Sequence, residues 1–114
     1  MNPLELAHTI VNAIENKKGE NIVLMDLQGV VSFTDYFVIC TGSSDRMLNA
    51  LADGVSDELR QKYQIKTRPQ GAAEAGWVIV DCGNVILHVF AAEQRAYYNL
   101  EELWREGKTL LKLQ

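Results

Sequence analysis

The chain has 114 residues, 47% of them apolar, and only two prolines. That suits one domain with a proper core and argues against disorder. A formal net charge of -4 argues against a protein that grips nucleic acid mainly through phosphates, while leaving open docking onto a basic protein.

Asn2-Pro3-Leu4-Glu5 opens a helix: Asn2 can cap, Pro3 fits the first turn and Glu5 completes a capping box. Leu4, Ala7, Ile10, Val11 and Ile14 recur at helical spacing as a core stripe, and Gly19 ends the helix after Lys17 and Lys18. His8 lies off the stripe. Asn21–Leu27 reads as a strand, Gln28–Thr34 as a loop, and Asp35–Thr41 as a second, central strand. After a turn at Gly42-Ser43-Ser44, a helix is predicted from Asp45 to Tyr63. Leu48, Leu51, Ala52, Val55 and Leu59 face the core, and Asp53, Ser56, Asp57 and Arg60 face out. Ile65–Arg68, stopped by Pro69, reads as a short edge strand reached by a right-handed crossover. Gln70–Gly76 reads as a loop or one loose turn.

Gly76–Phe90 (GWVIVDCGNVILHVF) is the organising stretch. Gly83-Asn84 suits a two-residue hairpin turn. That register puts Val78, Val80, Cys82, Val85, Leu87 and Val89 on one apolar face. The opposite face holds Trp77, Ile79, Asp81, Ile86, His88 and Phe90, and its mixture of rings and polar groups suits binding to another macromolecule. Ala92–Tyr98 and Leu100–Glu106 are predicted as short helical pieces around Asn99, and Gly107–Gln114 as a tail. The whole, residues 1–114, reads as one α/β domain. Its mixed sheet of about five strands carries helices mainly on one face.

Gly42-Ser43, between a strand and a helix, could cradle phosphate. A nucleotide-binding or nucleotidyl-transferring enzyme is therefore the alternative function. Such an enzyme also needs paired acids on a neighbouring strand to hold a metal. The chain offers a lone Asp81 there, and Asp53 and Asp57 lie on an exposed helix face. The dinucleotide fingerprint, the P-loop and the nucleophile elbow are all missing, so no cofactor, metal or small-molecule substrate is expected. Cys40 and Cys82 sit in strand-like apolar runs and read as buried free thiols, which suits a reducing cytosol. The N-terminal stretch does not read as a signal peptide, and no run approaches the ~20 apolar residues of a membrane span.

The stretch Glu93–Trp104 (EQRAYYNLEELW) gathers Arg95, Tyr97, Tyr98, Leu100 and Trp104. Tyr, Trp and Arg are enriched at binding hot spots. Leu103 and Trp104 are expected to pack onto the sheet. Adjacent tyrosines cannot both point inward, so at least one of them should be exposed and could extend the patch of Trp77, His88 and Phe90.

Three pieces, TDYFVICTGSS (34–44), GWVIVDCGNVILHVF (76–90) and RAYYNLEELW (95–104), carry a resemblance to the ribosomal silencing factor, or iojap-like, family. It covers nearly the whole chain. Cys82 stands where that family often has tyrosine, and Gln70-Gly71 where it usually has Glu-Gly. The resemblance implies a nucleotidyltransferase-like fold without the catalytic acids. It also implies a non-enzymatic translational repressor in the cytoplasm that acts when nutrients are short. Such a factor binds the large ribosomal subunit through its fourteenth protein and blocks joining of the small subunit. Some members are homodimers, so self-association is also expected. On this view Trp77 and Phe90 are apolar anchors and His88 and Tyr97 or Tyr98 orient the partner. Asp81 and Arg95 are rim charges.

Overall fold

The computed structural model describes residues 2–114. Helix α1 (Pro3–Asn16) starts where the Asn2 carboxamide oxygen accepts from the Glu5 amide at 2.8 Å. Its buried stripe is Leu6, Ala7, Thr9, Ile10, Val11, Ala13 and Ile14. Leu4 is exposed, so Leu6 takes the place expected of it. The helix stops through Lys18, which takes the left-handed φ of 70°. Gly19 matters for space instead, because a side chain there would strike Ile14.

Strands β1 (Glu20–Asp26) and β2 (Tyr36–Thr41) follow. β2 is buried along its whole length, as its unbroken aromatic and β-branched run requires. Helix α2 (Asp45–Tyr63) begins at Ser44, whose hydroxyl accepts from the Met47 amide at 3.1 Å. Leu48, Leu51, Ala52, Val55 and Leu59 are buried as expected, and Ser56 is buried too. Its hydroxyl accepts from Thr67 at 3.1 Å and ties down the segment after the helix. That segment is irregular: Ile65–Arg68 is not a strand. The edge strand is β3 (Gln70–Ala72), one step later, followed by a single 3-10 turn at Ala73–Ala75.

Strands β4 (Trp77–Asp81) and β5 (Val85–Phe90) form the expected hairpin, with Val78 opposite Val89 and Val80 opposite Leu87. Gly83 carries the left-handed φ of 83° that the turn needs. Two short helices, α3 (Ala92–Tyr98) and α4 (Leu100–Leu103), meet at Asn99, left-handed at φ 47°. The stretch read as a tail is strand β6 (Lys108–Leu113), antiparallel to β1. The mixed sheet therefore has six strands among the described residues, in the order β3-β4-β5-β2-β1-β6. β2 and β5 form its parallel centre.

Strand alternation gives the sheet two differently covered faces. One carries Ile22, Leu24, Val38, Cys40, Val78, Val80, Leu87 and Val89 against α1 and α2 and holds the larger core. The other carries Val23, Met25, Phe37, Ile39 and Phe90. It is only partly covered, by Leu27, Val30, Val31, Leu100 and Trp104.

Candidate functional site

The thinly covered face holds a continuous band of rings. Tyr97 meets Tyr98 edge-on at 5.0 Å, and Tyr98 lies 4.6 Å from Trp77. Trp77 stacks on Phe90 at 4.9 Å and lies 5.9 Å from His88. His88 meets Phe37 at 4.4 Å, Phe37 lies 6.1 Å from Phe33, and Phe33 is 6.2 Å from Trp104. Register explains the grouping. Trp77 pairs with Phe90, and His88 lies between Ile79 and Ile39, so alternation aims all three rings to one side.

The band is layered. Phe90 is fully buried and His88 is 6% exposed, so neither is the surface contact expected of it. Trp77 and Tyr98 stack against Phe90, and Phe37 and Trp77 flank His88, so these two rings are the floor of the face. Tyr97, at 79% exposed, Tyr98 and the half-buried Trp77 are what solvent meets. Both tyrosines are exposed, where at least one was expected to be. Phe33 and Leu103 are exposed as well, and sequence reasoning placed neither there. Phe33 is the lone aromatic of the 28–34 loop, which was its only signal. Leu103 was expected to pack inward.

His88 is held neutral. Burial pushes its pKa down to about 4. Its Nδ1 accepts from the Trp77 indole N–H at 3.2 Å. Its Nε2, shut from solvent, has no hydrogen-bond partner among the described residues.

Arg95 is a clamp and not a rim charge. Its Nε and Nη2 donate to the two carboxylate oxygens of Glu101, each at 3.1 Å. Its Nη1 donates to the Asn21 carbonyl at 2.6 Å and to the Thr41 hydroxyl at 2.9 Å. One guanidinium thus fastens α3 to α4, β1 and β2, because a planar fork suits a bidentate carboxylate. Asp81 is exposed, and its carboxylate accepts from the Gly83 amide at 2.8 Å.

Charge is uneven along the sequence. Residues 92–106 carry four carboxylates (Glu93, Glu101, Glu102, Glu106) against Arg95 and Arg105. Lys112 of β6 lies beside Glu101 and Arg105 on the same face. Both arginines are engaged, Arg95 by Glu101 and Arg105 by Glu102.

The Gly42-Ser43 turn gives little to a phosphate. Ser44 already caps α2, and the Gly42 amide donates to the Phe90 carbonyl. Asp81 cannot serve it, because β4 runs against β5 and β2 and so places Asp81 at the opposite end of the sheet. No cluster of three or more His, Cys, Asp or Glu side chains among the described residues could hold a metal. Burial pushes the thiols of Cys40 and Cys82 each up to about 12, the wrong direction for a nucleophile. Among the described residues no helix is long and apolar enough to cross a membrane.

The family model described as "Ribosomal silencing factor during starvation" matches residues 1–114. The ribosomal silencing factor RsfS of Bacillus subtilis is 39% identical over 108 residues, spanning 94% of this chain and 91% of that protein. A crystal structure of a protein from Chromobacterium violaceum superposes with a TM-score of 0.86 at 31% identity, covering 91% of this chain and 87% of that one. A mouse protein named for mitochondrial assembly of the ribosomal large subunit is 28% identical over 98 residues, 83% of this chain and 43% of its own. A match along the whole length, joined to near-40% identity with a relative of almost the same extent, leaves one conclusion: the chain belongs to the ribosomal silencing factor family.

Proposed function

We propose that the aromatic, acid-rimmed face docks on the large ribosomal subunit through its fourteenth protein, in the cytoplasm, and that the docked domain blocks the small subunit. The observation that carries this reading is the half-open ring band, whose exposed tyrosines belong to the acidic segment 92–106. Apolar rings supply affinity once desolvated, and an anionic rim favours a basic partner. Occlusion needs placement and affinity alone, so no catalytic group is required. Trp77, Tyr97 and Tyr98 are the contacts, Phe90 and His88 support them, and Asp81 lies on the rim.

Sedimentation of the protein with purified large subunits tests this. A central hot spot costs about 2 kcal/mol on truncation, so Trp77→Ala should weaken co-sedimentation about thirtyfold. Tyr97→Ala should weaken it with the fold untouched, because that side chain is 79% exposed. Wild-type affinity in both folded variants, or free assembly of the two subunits in the presence of saturating protein, overturns the reading. A second copy of the chain is the competing occupant of the same rings. Light scattering identifies it if Trp77→Ala converts a dimer to a monomer while subunit binding is unaffected.

A further inference from the structure

We propose that His88 is the positioning residue for Trp77: one hydrogen bond fixes which way the indole of the docking anchor faces, and His88 itself does not reach the partner. This rests on the docking reading above and extends it to how the anchor is held.

Trp77 and His88 lie on neighbouring strands, offset diagonally, since Trp77 pairs with Phe90 and His88 with Ile79. The indole is stacked on Phe90 at 4.9 Å and 27° and flanked by Tyr98 at 4.6 Å. Those contacts set the plane of the ring. They discriminate weakly between the two orientations related by a flip about its outer torsion, which is broad and roughly two-fold. The bond from Nε1 to the His88 Nδ1 at 3.2 Å selects one of them.

The chemistry of His88 is otherwise hard to justify. It is 6% exposed and sits in register between Ile79 and Ile39, where an aliphatic side chain would pack as well. An imidazole there leaves Nε2 buried and without a partner among the described residues. A buried donor left unmade costs more than a typical bond returns, so stability alone favours leucine. With Nδ1 accepting, the neutral ring carries its proton on Nε2, and burial keeps the ring neutral. Its one polar contact is the indole.

The test compares His88→Leu, His88→Asn and His88→Gln in the full chain. Asparagine places an amide oxygen near the position of Nδ1, whereas glutamine reaches toward that of Nε2. The readouts are the Trp77 indole N–H resonance, distinguished from that of Trp104 with Trp104→Phe, and affinity for purified large subunits. Expected for H88L are a fold that melts no lower than wild type, a moved and faster-exchanging indole resonance, and docking weakened about tenfold. H88N should restore the resonance and most of the affinity, and H88Q neither. An unmoved resonance in H88L, or equal losses in H88N and H88Q, overturns the assignment. If H88L does not fold, the contrast between H88N and H88Q decides. If the wild-type protein ignores large subunits, the docking reading falls, and the indole resonance still decides whether His88 sets the ring.

Discussion

Replacing Arg95 with alanine should loosen the junction of α3, α4 and the sheet, and only secondarily alter the charge of the docking face. The side chain is 13% exposed and donates four hydrogen bonds, two to Glu101 and one each to Asn21 and Thr41. Bonds to charged groups contribute about 1.5–3 kcal/mol each in favourable sites, but they are not additive. Glu101 is 34% exposed and regains water when the arginine goes, which discounts its share. The expected loss is about 3 kcal/mol. For a domain of this size that lowers the melting temperature by roughly 10–15 °C. Thermal unfolding followed by circular dichroism measures it. A cycle with Glu101→Gln should give a coupling of about 1 kcal/mol or more, because the two residues share one ion pair. A melting temperature within a few degrees of wild type, combined with weaker and salt-sensitive subunit binding, would refute the clamp and return Arg95 to the rim.

The layering of the ring band predicts opposite phenotypes on one face. Phe90→Ala should cost about 3–5 kcal/mol in urea denaturation, and Tyr97→Ala less than about 0.5. His88 should make the protein acid-sensitive. Its folded pKa lies near 4 against an ordinary 6.5, so the unfolded chain takes the proton first. Stability is then full above about pH 6.5, falls as pH drops toward 4, and is down by about 3 kcal/mol below that. His88→Leu should flatten that part of the pH profile, and an unchanged profile would show that other groups carry it. Gly71 has φ 94°, and an added Cβ would lie 2.5 Å from the Trp77 carbonyl oxygen. Gly71→Ala should therefore cost about 1–3 kcal/mol and speed amide exchange in β3.

The features legible in the sequence were those whose causes are local. The Gly83 turn, the alternation through Val78–Val89 and the Leu48–Leu59 stripe each declare themselves within one element, and each is seen. The misreadings depend on distant chain. Arg95 reads as a surface charge until Asn21 and Thr41, 74 and 54 residues away, are brought to it. Phe90 and His88 read as exposed because their cover comes from Trp77, Tyr98 and Phe37, rings brought to them only by strand register and by where α3 lands. β6 reads as a tail because Leu110 and Leu111 break its alternation, and its pairing with β1 is bulged at Leu24/Met25. Ile65–Arg68 lost the edge to Gln70–Ala72 because Trp77–Ile79 offers its partners there.

The acidity of the ring-bearing flank has a consequence for traffic. A net-negative body with an acid-rich segment beside its exposed rings is attracted and turned by a cationic landing site before contact, across a Debye length of about 8–10 Å. Added salt should slow its capture while barely changing its release. Two copies meeting through that flank repel each other, and the same salt relieves them. Ionic strength should therefore push the two encounters in opposite directions, away from the basic landing site and toward self-pairing.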